Sequence, residues 1–127
     1  MAEVRVARLF DGVDPETGPY FGDGRGRVDD GGERARIAGF LDGGAVVLFS
    51  TGREPDRVDP ARGAAVGTSV RTDGTWVWSD GVAYYVREHG IAPEADLYAH
   101  IRELGYRCPG TDEATAQHVL ETLYAPR

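Results

Sequence analysis

The sequence predicts an α+β fold: a largely antiparallel sheet of about five strands followed by three C-terminal helices packed on one side of it. Three observations carry that reading. Strand-like runs fill the chain up to Ser79, Asp-Gly turn signals separate several of them, and capped segments of helical period take over afterwards.

The first strand is read at residues 3–10, EVRVARLF, where Val4 and Val6 share one face and Arg5 the other. The next stretch, DGVDPETGPYFGDGRGRVDDGG, holds seven glycines and two prolines among its acids and offers little apolar surface to order itself. It reads as a long loop, and long loops in compact domains tend to be functional or mobile. Residues 34–50 read as a hairpin in which RARIAGFL and AVVLFS flank an Asp-Gly turn of type I′. That pairing sets Ile37 opposite Leu48 and Phe40 opposite Ala45. A second loop, TGREPDRVDPARGA, is broken by Pro55 and Pro60 and carries Arg53, Arg57 and Arg62. A strand at AVGTSVRT then turns at Asp73 and Gly74 and returns through TWVW.

Each helix has a start and a stop. The first is capped by Ser79 or Asp80 and ends before Gly90, which suits a left-handed terminal position. The second opens at Pro93, stops at Gly105 and buries Leu97, Ile101 and Leu104. The third is capped by Thr111, has Asp112 and Glu113 where the helix dipole favours acids, and buries Ala116, Val119, Leu120 and Leu123.

At 127 residues without a linker-like tract, the chain is expected to be a single domain, residues 1–127. It has neither Lys nor Asn, and all 14 of its basic residues are Arg. That is the imprint of GC-rich codons and points to a high-GC bacterial source. Charges at Glu3, Arg5 and Arg8 interrupt the N-terminus as a signal peptide, and no apolar run is long enough for a membrane span. With one cysteine, Cys108, the expected location is the cytoplasm.

The net charge of −7 is unevenly spread. Residues 11–33 and 72–127 each carry −5, while residues 34–71 carry +2. An acidic surface repels phosphate backbones, so neither nucleic acid nor a membrane is an expected partner. A basic protein is, because the field would steer it in, and the acids Asp29 and Asp30 of the long loop belong to that surface.

Aromatic residues concentrate in TDGTWVWSDGVAYYVREHG, residues 72–90. A two-residue turn at Asp73 and Gly74 pairs Arg71 with Trp76 and Val70 with Val77, so Arg71, Trp76 and Trp78 share one face and the valines the other. Arg71 over Trp76 would form a cation–π pair. In the following helix Val82, Tyr85, Val86 and His89 line one side and Tyr84 points elsewhere. Packing explains most of this stretch. The sharper reading makes Arg71, Trp76, Trp78 and Tyr84 an exposed anchor for a partner, since such residues dominate interface hot spots.

Catalytic and metal signals are weak. The histidines His89, His100 and His118 show no ligand spacing, and a zinc site from His89, His100 and Cys108 would need the fold to gather them. GDGRG lacks the Lys and Ser/Thr of a phosphate loop, and no serine sits in a nucleophile motif. No catalytic residue, metal or cofactor is therefore assigned.

Residues 73–106, DGTWVWSDGVAYYVREHGIAPEADLYAHIRELGY, resemble a strand-to-helix signature of small bacterial α+β proteins. Some of those, encoded near polymorphic toxins, are regarded as immunity partners. The resemblance implies a partner-binding role and brings no catalytic residues. The leading expectation is a non-catalytic cytosolic binding protein of the immunity or regulatory type, using acidic surface and exposed aromatics. The alternative is an enzyme or small-ligand protein, with Arg71, Trp78, Tyr84 or His89 meeting an anionic metabolite between sheet and helices. A homodimer built on a sheet edge is the third.

Overall fold

The computed structural model describes residues 4–124; Glu3, the start of the first expected strand, lies outside them. Along the chain run β1 (Arg5–Val6), β2 (Gly12–Asp14), β3 (Gly18–Tyr20), α1 (Gly31–Asp42) and β4 (Ala45–Leu48). After β5 (Arg53–Pro55) comes a 3-10 turn (Pro60–Arg62), then β6 (Ala64–Gly67), β7 (Val70–Thr72) and β8 (Trp76–Ser79). The helices α2 (Asp80–His89), α3 (Ala95–Glu103) and α4 (Glu113–Leu123) complete it. The fold is α+β. Its main sheet has four strands in the order β1-β8-β7-β4, beside two separate hairpins, β2–β3 and β5–β6.

Three expectations about architecture are corrected. The sheet has four strands rather than five, and it is mixed, because β1 runs parallel to β8 with Arg5 beside Trp76. A fourth helix, α1, replaces the first arm of the hairpin expected at residues 34–50. The reason lies in its capping: the Asp30 carboxylate accepts the Glu33 N–H at 2.8 Å, and Asp-x-x-Glu is the spacing of a capping box. Ile37, Ala38, Phe40 and Leu41 then fall on one buried stripe. Gly43 has φ −79°, not the positive φ of a type I′ turn, and its N–H returns to Gly39 O. The Asp-Gly-Gly run is a helix stop. Leu48 and Ala45 consequently pair with Val70 and Thr72 rather than with Ile37 and Phe40.

The β7–β8 hairpin forms where expected, with its register moved by two residues. Arg71 faces Trp78 and Thr72 faces Val77. The Asp73 carboxylate holds a wider turn by accepting the N–H groups of Thr75 and Trp76. An even shift keeps every side chain on its face, so the separation of tryptophans from valines survives.

The tryptophan face is the centre of the molecule. Trp76 and Trp78 form one cluster with Ile37, Phe40 and Leu41 of α1, Val82 and Val86 of α2, and Leu97 and Ile101 of α3. Val119 of α4 is buried outside that cluster, and α4 lies against β4. α2 ends at Gly90, φ 65°, as its sequence requires. α3 begins at Ala95, two residues after Pro93, and α4 is capped by Asp112 instead of Thr111, accepting Thr115 N–H at 2.7 Å.

Residues 11–33 are not a solvated loop. Phe21 packs its ring 4.8 Å from Tyr85 of α2 and 5.0 Å from Phe10, while Arg25 pairs with Asp11 at 3.1 Å and Val28 enters the core. Contacts distant in sequence supply the burial that the segment lacks alone. The second expected loop likewise contains β5, which pairs with β6, and the expected strand AVGTSVRT divides into β6 and β7 at Thr68–Ser69.

Close packing between α1 and the sheet fixes one glycine. A Cβ on Gly44 would lie 2.6 Å from Trp78 Cζ2 and 3.1 Å from Thr72 O. Gly44→Ala is expected to destabilise the fold by about 1–3 kcal/mol through forced displacement of a packed indole. Urea unfolding measures this; an unchanged midpoint would show that β4 and Trp78 yield freely.

Candidate partner-binding surface

The expected aromatic anchor is covered by the chain itself. Trp76 is 3% and Trp78 1% exposed, so neither can serve as a surface contact. The Trp78 indole N–H donates to Leu41 O at 3.1 Å, satisfying a carbonyl in the last turn of α1. The cation over Trp76 is Arg5, 4.3 Å from the ring centroid, not Arg71. Arg71 instead bonds Asp80 at 2.8 Å and donates to Asp42 O and Gly44 O, tying α1, β4 and α2 together. Tyr84 donates to Asp56 at 2.6 Å and meets Arg62. Asp30 is occupied as the cap of α1, and Asp29 beside it is exposed. The structure therefore spreads these six residues over several roles rather than gathering them.

Two buried carboxylates, Asp56 and Asp73, make ties to histidines that the sequence does not reveal, and they are built alike. Asp56, 1% exposed, accepts the N–H groups of Val58 and Asp59 on Oδ1, and Tyr84 and His89 on Oδ2. Asp73 accepts Thr75 and Trp76 N–H on Oδ1 while His100 Nε2 lies 2.6 Å from Oδ2. Burial pushes the Asp56 carboxyl up, but His89, Tyr84 and the two amides outweigh it and hold it well below the usual carboxylate range. Each aspartate closes a turn with one oxygen and a helix-borne histidine with the other. With its acceptor positions filled from within, Asp56 is a structural tie rather than a base for a substrate. Glu33 behaves similarly, held low by hydrogen bonds from Tyr98 and Tyr106.

What faces outward is the edge of the main sheet. β4 ends the strand order, so its outer backbone groups pair with no other strand among the described residues. Along it Val46 is 45% and Leu48 39% exposed, and Phe49, the next residue after the strand, is 76% exposed. The pairing of β4 with β7 is irregular here, its register shifting between Val46 and Leu48. α4, packed against β4, is exposed at Asp112, Glu113, Gln117 and Glu121 and carries no Arg. Among the described residues, none of those three acids has an Arg or His partner at ion-pair distance. An open apolar edge thus lies beside an acidic helix.

Among the described residues no group of three or more His, Cys, Asp or Glu side chains is arranged to hold a metal ion. No described helix is long and apolar enough to cross a membrane. Comparison with protein-family models, with curated proteins and with solved structures finds no match to this chain.

Proposed function

We propose that this chain is a non-catalytic partner-binding domain, of the immunity or regulatory kind, that holds a basic protein along the outer edge of β4. The observation carrying this reading is the outer edge of β4, unpaired among the described residues, with Val46 and Leu48 exposed on it and Phe49 exposed just past its end, in a chain of net charge −7. An extended segment laid beside β4 gains main-chain hydrogen bonds, and pockets for alternate side chains give selectivity. The acids of α4 would speed its approach and choose a basic partner over an acidic one. Phe49 takes over the aromatic role first assigned to the tryptophans.

Capture from the source lysate at low salt should retain a basic protein that is released as salt rises. Phe49→Asp should weaken that capture by about tenfold or more while leaving the unfolding midpoint within about 0.5 kcal/mol, as expected for an exposed site. Equal capture by wild type and Phe49→Asp, or an acidic partner indifferent to salt, would refute the assignment. Light scattering on the pure protein separates a self-pairing edge: a wild-type dimer that Phe49→Asp dissolves would make the partner a second copy.

A further inference from the structure

The two small hairpins enclose a cleft that the partner-binding edge does not use. It has a volume of about 630 Å³ and is walled by Pro19, Tyr20 and Phe21 on the β2–β3 side and by Pro55, Arg57 and Val58 on the β5 side. A second hollow of about 320 Å³ adjoins it, sharing Pro19, Pro55 and Arg57, and is lined by Leu9, Phe10, Val66 and Tyr85. Volumes of this order suit small organic ligands. Arg57 stands at the junction.

The charges of the cleft are unbalanced in favour of cations. Arg25, Arg27 and Arg57 line it, with Asp23 and Asp56 as the acids. Arg25 is neutralised by Asp11 and also bonds Ala92 O. Asp56 is consumed by Tyr84, His89 and two backbone amides, and so offers the cleft little. Arg27 donates to His89 O, a neutral carbonyl, and Arg57 lies beside Gly18 with no carboxylate at ion-pair distance among the described residues. Within the cleft Asp23, exposed at the rim, is the acid left to oppose two guanidiniums, and Glu54 is the carboxylate on the wall of the adjoining hollow. The rest of the adjoining hollow is walled mainly by apolar groups, Leu9, Phe10, Val66 and Tyr85, with Thr68 and Ser79 beside them and the rings of Phe10 and Tyr85 packed edge-on at 5.9 Å.

We infer that this double hollow binds a small organic anion, its carboxylate, sulfonate or phosphate group on Arg57 and Arg27 and its apolar body against Phe10, Val66 and Tyr85. Guanidinium forks match such anions geometrically, and the apolar trough beside Arg57 favours a ligand with a hydrocarbon or aryl portion over a bare ion. The site differs from the one expected between sheet and helices, since Arg71, Trp78, Tyr84 and His89 do not line it.

The test uses anilinonaphthalene sulfonate as a fluorescent probe of the intact chain, with octanoate, octanol and inorganic phosphate as competitors. Expected are one-to-one binding, displacement by octanoate, and much weaker displacement by octanol or phosphate. Arg57→Ala should weaken probe and octanoate binding about tenfold, the loss of one charge-assisted contact. Because the Arg57 side chain is exposed and its backbone N–H keeps its bond to Tyr85, the thermal midpoint of this variant should not move. Phe49→Asp should bind the probe normally, which separates this cleft from the β4 edge. Unaltered binding by Arg57→Ala, competition by octanol or phosphate equal to that by octanoate, or loss of the probe in Phe49→Asp would each overturn the inference.

Discussion

Asp56→Ala is expected to lower folding stability by about 3–5 kcal/mol, because it leaves several covered hydrogen-bonding groups unsatisfied at about 1–3 kcal/mol each. The carboxylate accepts four hydrogen bonds, and its loss strands the Tyr84 hydroxyl, His89 Nε2 and the amides of Val58 and Asp59 together. Asp56 is itself 1% exposed, so its four partners are held in a covered site built around the carboxylate. Asp56→Asn retains the volume and an acceptor but presents an amide N–H₂ to a donor, so it should recover part of the loss. The ties also give a pH signature. A carboxyl held below its ordinary value of about 4 contributes stability that is complete above that value and fades as pH falls through the folded-state value. Wild type should therefore lose stability progressively below about pH 4, and Asp56→Asn should show a shallower loss over the same range. Urea midpoints between neutral pH and pH 3 measure both; parallel curves for the two proteins would show that Asp56 contributes nothing through its charge.

That aspartate illustrates where sequence reading stops. Asp73 was legible as a turn residue because Asp-Gly between two apolar runs is a local signal, and the hairpin formed there. Its bond to His100, 27 residues on, and that of Asp56 to His89, 33 residues on, depend on how α2 and α3 come to rest. α2, α3 and α4 were readable for the same local reason: caps and buried stripes lie within each segment. α1 was misread because RARIAGFLDGG satisfies a strand-and-turn pattern and a helix-and-stop pattern about equally. The deciding residues, Asp30 and Glu33, sit before the apolar run and were assigned to the loop. The parallel pairing of β1 with β8 has no local signature at all.

The site followed the same division. An acidic chain poor in catalytic motifs was visible from composition, and it still motivates the partner-binding proposal. Which apolar residues face outward was not visible, because Val46, Leu48 and Phe49 read as one arm of a central hairpin and the tryptophans either as packing or as an exposed anchor. Making residues 31–42 a helix, where residues 34–41 read as a strand, exchanges those roles. α1 supplies the cover that buries Trp76 and Trp78, and β4, losing its expected neighbour, becomes an edge.

Trp78→Ala is the direct test of that exchange and is expected to cost about 3–5 kcal/mol, the range for truncating a large aromatic in a core. Trp78 is the largest of the fully buried side chains, packs at 5.8 Å from Phe40, and gives its N–H to Leu41 O. Truncation opens a cavity between α1 and β8 and leaves the Leu41 carbonyl without its indole donor, so the two losses add at one place. Trp78→Phe fills most of the volume and forfeits the hydrogen bond, and should cost about 1–2 kcal/mol. For a domain whose whole stability is about 5–15 kcal/mol, the first change lowers the thermal midpoint markedly and the second modestly. In the native wild type both indoles should resist quenching by iodide, becoming accessible only on unfolding. Iodide quenching in native buffer, or a Trp78→Ala variant as stable as wild type, would place Trp78 on the surface and restore the tryptophan face as a partner site.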